Sequence, residues 1–474
     1  MDNNEVDENQ DTSESLVNET TPVHPIAVVI DSHILRICDL RTSAFTFIKQ
    51  AVSSFLEELE KQKQILDDNY NLLGDDESPE QIIIIKNVIG AQNKLDRLHK
   101  SELLKDLAVG HFLTLFATFD SFTGELLTAC YDKKPELFNS IDRTMSISEM
   151  LKYGNVDDIK KIILSSEIES FRRKSYIEQF LVLENRFGIN LRKFNNWAKF
   201  VECGQRRNLF THCDGRVSEQ YISVCREHKC KLPEELEVGE KLEISPEYLY
   251  VACNLIIEVI LKLGQTVWRK LLPDEIEIAD SQLISIEYDF LAQADWPCAI
   301  MAGNFAISLP SHADTAKKII LTINLIIAFK NCKLDEEANK LLDSVDWSAL
   351  CYDFRLAEKV LREDYDVALE IMEKIGTQGD FVIEHSYHVW PLFSAFRETT
   401  QFLKGYKQVF GYDFSTKLKS SAEESRTEVE AEIFKKKEDL RTSSMETEKD
   451  LCPQNESQPG AALDAENSCG LAGN

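Results

Sequence analysis

Between residues 40 and 130 the apolar positions recur every three or four residues, the spacing of one helical face rather than the alternation of a strand. In "AFTFIKQAVSSFLEELEKQKQILDDNYNLL" the stripe is Phe45, Ile48, Val52, Phe55 and Leu59, which predicts a helix from Leu40 to Leu73. A second long helical segment starts after "DDESPEQ" and runs to about Cys130. Its later half, "GHFLTLFATFDSFTGELLTAC", puts Phe112, Phe116, Phe119, Phe122 and Leu126 on one stripe, with Asp120 as a polar interruption. An aromatic stripe of that spacing belongs to a core. Further helices are expected near 145–152, 156–165, 172–188, 192–212 and 218–227. The pattern breaks at "LPEELEVGEKLEISPEYL", read as a short hairpin around Gly239, and resumes where Ser245-Pro246-Glu247 opens "YVACNLIIEVILKLGQTVWRKL".

The segment "LLPDE", residues 271–275, is the strongest boundary signal in the chain. Beyond it three helical hairpins are expected, around "DWPCAIMAGNFA", "KLDEEANKLLDSV" and "REDYDVALEIMEKIG". Each carries a small residue (Ala299, Ala338, Ala368) where two helices would cross closely. The arrangement resembles tetratricopeptide-type repeats but lacks their fuller Trp, Gly and Pro pattern, and generic αα-hairpins fit equally. The reading is therefore an all-α chain in four parts. Residues 1–22 form a disordered acidic arm, 23–272 a helical bundle, 276–414 a repeat-like helical-hairpin domain, and 415–474 a disordered tail with room for a short helix near 423–440.

Composition narrows the class. The chain has 474 residues, 43% of them hydrophobic, and a formal charge of −28. That is enough for two or three soluble domains. No uncharged apolar run of eighteen or more residues occurs, so no membrane span is expected. The first twenty residues hold seven acids and no Lys or Arg, the reverse of a secretory signal, and the expected location is cytoplasmic. Twelve cysteines without paired spacing fit a reducing compartment. The densest patch is Cys203, Cys213, Cys225, His228 and Cys230. A zinc site would bring ligands in two compact pairs, and only "CREHKC" resembles one, so buried thiols acting as small hydrophobes are the favoured reading. No metal and no cofactor are expected. His385 and His388 in "EHSYHVW" have no third ligand within reach and are read as structural. P-loop, dinucleotide-loop, zinc-protease and serine-elbow strings are absent from the sequence.

One window runs against the acidity of the rest. From Asn185 to Arg216 there are seven Lys or Arg and two acids, Glu202 and Asp214, a net charge of +5 suited to a polyanion. Within it lies "RRNLFTHCDG", residues 206–215. In a helix, Asn208 and His212 share a face. Arg207 lies about 140° around from His212, and Arg206 about 120° the other way. Asp214-Gly215 favours a turn, so His212 is expected in the last helical turn, exposed, where the helix dipole favours a cation. These parts suit metal-free RNA cleavage. The ribose 2′-hydroxyl is its own nucleophile, a histidine moves protons near neutral pH, and a guanidinium stabilises charge on the phosphorane. The competing reading makes Arg206 and Arg207 a solvated helix face and His212 a helix-end residue bonding the last carbonyls.

Arg207-Asn208-Leu209-Phe210-Thr211-His212 fits the R-x4–6-H signature of the HEPN superfamily of all-helical domains. The longer string "RRNLFTHCDGRVSEQYI", after "FGINLRKFNNWAKFVECGQ", resembles bacterial HEPN proteins more specifically. "HFLTLFATFDSFTGELL" resembles the first core helix of the same domain. The resemblance covers residues 105–225 well and 40–272 loosely, and does not reach the repeat-like region. It implies a metal-independent endoribonuclease of phage-defence or toxin systems that acts as a homodimer on RNA. Arg207 and His212 would be catalytic, with Asn208 as the polar motif residue and Arg206 and Asp120 as supporting groups. The C-terminal helical domain would then serve a protein partner or antitoxin. The alternative is a non-enzymatic dimeric scaffold with a silent or nucleotide-binding HEPN domain.

Overall fold

A computed structural model describes residues 24–74, 78–141, 144–419 and part of 422–437. The acidic arm expected at 1–22 and most of the tail expected from 415 lie outside the described residues. The described residues divide into two compact units, the first reaching Leu350 and including Trp390–Leu392, the second made of Cys351–Val389 and the chain from Phe393. Both are all-α. In the first are α1 (Pro25–Tyr70), α2 (Pro79–His99), α3 (Leu103–Lys133), α4 (Ile147–Met150), α5 (Val156–Arg172), α6 (Tyr176–Phe187) and α7 (Trp197–His212). They are followed by α8 (Glu219–Glu227), α9 (Pro246–Leu271), α10 (Ile276–Ala292), α11 (Trp296–Ser308), α12 (Thr315–Asn331) and α13 (Asp335–Asp343). The second unit holds α14 (Tyr352–Leu361), α15 (Tyr365–Ile375), α16 (Glu384–Val389) and α17 (Thr400–Phe410).

The core of the first unit is built where α1, α3 and α9 pack on one another. The aromatic stripe of α3 is spent there: Phe112, Phe116, Phe119 and Phe122 are fully buried. Burying a Phe side chain stabilises by about 1.5–3 kcal/mol, so this stripe is a major support of the fold. Gly264 lets α9 approach α1, since a Cβ there would come within 2.6 Å of the Ile30 side chain. Helix α9 is the one described helix long and apolar enough to cross a membrane, and most of that apolar window is buried inside the fold.

Three expectations differ from the structure locally. The single segment expected from "DDESPEQ" to Cys130 is divided into α2 and α3 at residues 100–102. Helix α1 starts at Pro25, fifteen residues before the predicted start, because its first half buries Ile26, Ile30, Ile34 and Ile37. The expected hairpin around Gly239 does not pair with itself. Residues 239–242 run antiparallel to 215–217 instead, through Val217 N–H to Glu240 O (2.9 Å), Gly239 N–H to Val217 O (2.8 Å) and Leu242 N–H to Gly215 O (3.0 Å). The segment 271–275 is the end of α9 and a 3-10 turn leading into α10.

The three hairpins share one turn. Ala294, Lys333 and Glu363 are left-handed, with φ of 54°, 58° and 61°. The next N–H donates five residues back: Asp295 to Phe290 (2.8 Å), Leu334 to Phe329 (2.9 Å) and Asp364 to Lys359 (3.0 Å). Four residues further on comes the small residue, and Ala299, Ala338 and Ala368 are all buried. The turn therefore sets which residue of the second helix meets the first. A β-branched residue in this conformation is strained. Lys333→Val is expected to lower stability by about 1–2 kcal/mol in urea unfolding, whereas Lys333→Gly leaves it unchanged or slightly raised.

Candidate functional site

Helix α7 begins after Asn196 and ends where Asp214 (φ 50°) and Gly215 (φ 74°) turn left-handed. The N–H groups of Cys213 (2.7 Å) and Gly215 (3.1 Å) both close onto Leu209 O. A Cβ at Gly215 would come within 2.7 Å of the Phe210 ring, so the turn requires glycine on steric as well as conformational grounds. Lys241 Nζ bonds Asp214 at 3.0 Å. His212 is thus the last residue of a firmly terminated helix, and it is exposed.

Arg207 points to α3. Its guanidinium lies 3.5 Å from the Asp120 carboxylate and donates to Asn208 Oδ1 at 3.2 Å. The Tyr176 hydroxyl, from the first turn of α6, donates to Asp120 Oδ1 at 3.0 Å. Arg172, at the end of α5, donates through Nε to the Asp120 carbonyl at 2.9 Å and lies across Gly124, where a Cβ would collide with it. Gly204 on α7 serves the same purpose for Tyr176, whose ring sits 2.8 Å from where a Cβ would be. The structure therefore brings Asp120, Arg207 and Asn208 together from α3 and α7, with His212 one turn beyond Asn208. Tyr176, Gly204 and Arg172 were not found from the sequence. Nothing in "KSYIEQ" links a tyrosine to an aspartate fifty-six residues earlier.

Arg206 belongs to a different arrangement. It donates through Nε to Glu202 at 2.8 Å and lies over the Tyr248 ring, 4.0 Å from its centre. Glu202 also accepts from the hydroxyls of Tyr221 (2.7 Å) and Tyr248 (2.8 Å). This is a closed, partly buried network, and it takes up the donors that phosphate binding would use.

The basic window is also less basic in space than along the chain. Arg186 pairs with Glu167, Arg192 with Glu184, Arg206 with Glu202 and Arg207 with Asp120. Three of those four acids lie outside residues 185–216, so the field is smaller than +5 implies. Lys193 and Lys199 remain exposed.

Burial holds the Asp120 carboxyl above the usual carboxylate range, against the Tyr176 hydroxyl and the Arg207 and Arg172 guanidiniums, which pull it down. A carboxyl raised on folding favours the folded state at low pH and loses that contribution as pH rises through its folded pKa. Ionised Asp120 is therefore a net cost near neutrality. The melting temperature of Asp120→Asn relative to the parent is expected to be higher at pH 8 than at pH 4. A purely stabilising ion pair would give the opposite trend.

Of the zinc candidates, Cys203 and Cys225 are buried, the Cys230 thiol donates to Ala198 O at 3.0 Å, and Cys213 is exposed at the end of α7. Among the described residues one group of potential metal ligands converges, Cys351, Asp353 and Asp380 in the second unit. Asp353 there accepts the N–H groups of Phe381 (3.1 Å) and Val382 (2.7 Å), which accounts for its burial. His388 bonds the Tyr406 hydroxyl at 2.8 Å and stacks on Phe414, a packing role.

The chain was compared with family models, with curated proteins and with solved structures, and it matches none of them.

Proposed function

We propose that the chain is a metal-independent endoribonuclease of HEPN type. The observation that carries the reading is the Asp120–Arg207–Asn208 cluster, oriented from behind by Tyr176, beside an exposed His212 at the end of the same helix. A half-buried acid that costs stability yet holds a guanidinium, on a helix whose exposed histidine lies one turn beyond Asn208, fits a working site. The resemblance of residues 105–225 to HEPN domains supports the same assignment.

In this scheme a base removes the ribose 2′-proton and the 2′-oxygen attacks the adjacent phosphorus. The bond to the 5′-oxygen breaks, and an acid protonates that oxygen. The products are a 2′,3′-cyclic phosphate and a 5′-hydroxyl, and no water is consumed. Arg207 stabilises the charge on the phosphorane. His212 supplies one of the two proton transfers, and the partner's His212 in a homodimer supplies the other. The experiment is incubation of the purified full-length chain with structured and single-stranded RNA in EDTA, followed by end-group analysis. Cyclic-phosphate ends are expected, and 3′-hydroxyl ends would rule the scheme out.

One observation favours the second reading, a non-enzymatic dimeric scaffold with a silent domain. Arg207 already has two partners inside the fold, Asp120 and Asn208, as a structural arginine would. Under that reading no RNA is cleaved, and Arg207→Ala affects stability alone.

A further inference from the structure

At the other end of α7 from His212 lies a groove of about 380 Å³ between the loop 188–196, α9 and α11. Its floor is apolar, with Leu191, Val259 and Leu263 buried, and its walls carry the half-buried rings of Phe194 and Phe305. Its rim presents the amides of Asn190, Asn195 and Asn304 and the ammonium groups of Lys193 and Lys262. Among the described residues no Asp or Glu lines it, in a chain with 81 acidic residues.

The groove is held in shape. Glu184 accepts the N–H groups of Leu191 (2.7 Å) and Arg192 (2.9 Å) and the Arg192 Nε (2.8 Å), which ties down the loop. Lys262 pairs with the buried Glu258 and stands 5.5 Å from the centre of the Phe194 ring. Glu258 in turn accepts from Asn196 at 2.7 Å. The Lys262 ammonium is therefore fixed next to an aromatic face, and Lys193 is exposed.

We propose that this groove binds a nucleoside phosphate. The rings offer a stacking face for a base, the amides match donors and acceptors on base edges, and lysine binds phosphate as a point charge. The volume, near the small end of the range of about 300–1,000 Å³ for ligand pockets, fits one nucleotide rather than a longer segment. Two sources supply this chemistry, an RNA strand and a free nucleotide. The first rests on the ribonuclease reading and adds to it an anchoring subsite remote from the cleaved bond. Helix α7 has 16 residues and so spans about 24 Å. A strand stacked at about 3.4 Å per nucleotide would need about seven nucleotides to reach from groove to His212, and an extended one fewer. Helix α11 supplies Asn304 and Phe305 from outside the region that resembles HEPN domains, so the subsite belongs to this chain's own architecture.

The test uses the full-length chain carrying His212→Ala, so that RNA is bound without turnover. Probes are a fluorescently labelled 12-nucleotide single-stranded RNA and AMP. The variants are Lys193→Glu and Asn304→Asp, both at exposed positions, with Lys340→Glu on α13 as a charge control and melting curves to confirm folding. Each groove variant is expected to weaken RNA binding about tenfold or more, with the control within twofold. AMP binding lost in the groove variants, with RNA binding unchanged, supports the groove and identifies the free nucleotide as its occupant. Variants that bind both probes like the parent, or a control that loses as much, overturn the proposal, as does a parent that binds neither. The two readings fail separately. RNA cleavage by the wild-type chain with unaffected groove variants removes the groove alone. Groove-dependent binding without any cleavage removes the ribonuclease alone.

Discussion

His212→Ala and Arg207→Ala are each expected to remove RNA cleavage while leaving the fold intact. His212 is exposed at the end of α7, so its truncation opens no cavity. Loss of a proton-transfer group costs about 10²- to 10⁴-fold in rate. Arg207→Ala leaves the phosphorane charge without its fixed donors, a loss of about 10²- to 10³-fold by analogy with a removed oxyanion donor. The two changes act on one transition state, so the double variant is expected to be no worse than the poorer single variant. Initial rates on a short RNA, with circular dichroism to confirm folding, check both. Full activity in either single variant would remove that residue from the mechanism.

Arg206→Ala should do the reverse of Arg207→Ala, although the two residues are adjacent. Arg206 and Glu202 are 16% and 13% exposed in their side chains, and Glu202 collects two tyrosine hydroxyls as well. Removing the guanidinium leaves a partly buried carboxylate short of its charge partner, and breaking such a pair costs about 3–5 kcal/mol. Urea unfolding of the full-length chain is expected to show a loss of that order in the first unit, with the midpoint rather than the slope changing. Arg206→Ala protein that remains folded should still cleave RNA at a rate near the parent's. A variant that is fully stable and inactive would place Arg206 among the phosphate-binding groups and contradict the network assigned to it.

The all-α class and the aromatic core of α3 were legible because helical periodicity is a local signal and the stripe repeats over several turns. The position of His212 was legible for a similar reason, since Asp214-Gly215 can end a helix without help from elsewhere. The early start of α1 was not. "PIAVVI" is rich in β-branched residues and reads as neither helix nor strand until its isoleucines meet α9. The break between α6 and α7 was legible, with Gly188 capping α6 in the left-handed conformation, but α7 starts at Trp197 rather than at the expected 192, because Glu184 holds the intervening loop. The difference between Arg206 and Arg207 was half legible. Glu202 lies one turn before Arg206, an i,i+4 pair visible in the sequence, but Tyr248 and Asp120 come from distant helices. The charge of the window misled for a similar reason, because Glu167 and Asp120 enter it only through folding, while Glu184 stands one residue outside the counted window.

The central claim is that the ribose 2′-hydroxyl is the nucleophile and His212 one of its proton carriers. The most direct measurement is cleavage of an oligonucleotide that is DNA except for one ribose, by the wild-type chain and by His212→Ala, in EDTA. With a cleavable sequence, the account expects a single cut on the 3′ side of that ribose with wild type and none with His212→Ala. Cuts at deoxyribose positions, or an equal cut at the ribose by both proteins, would contradict it.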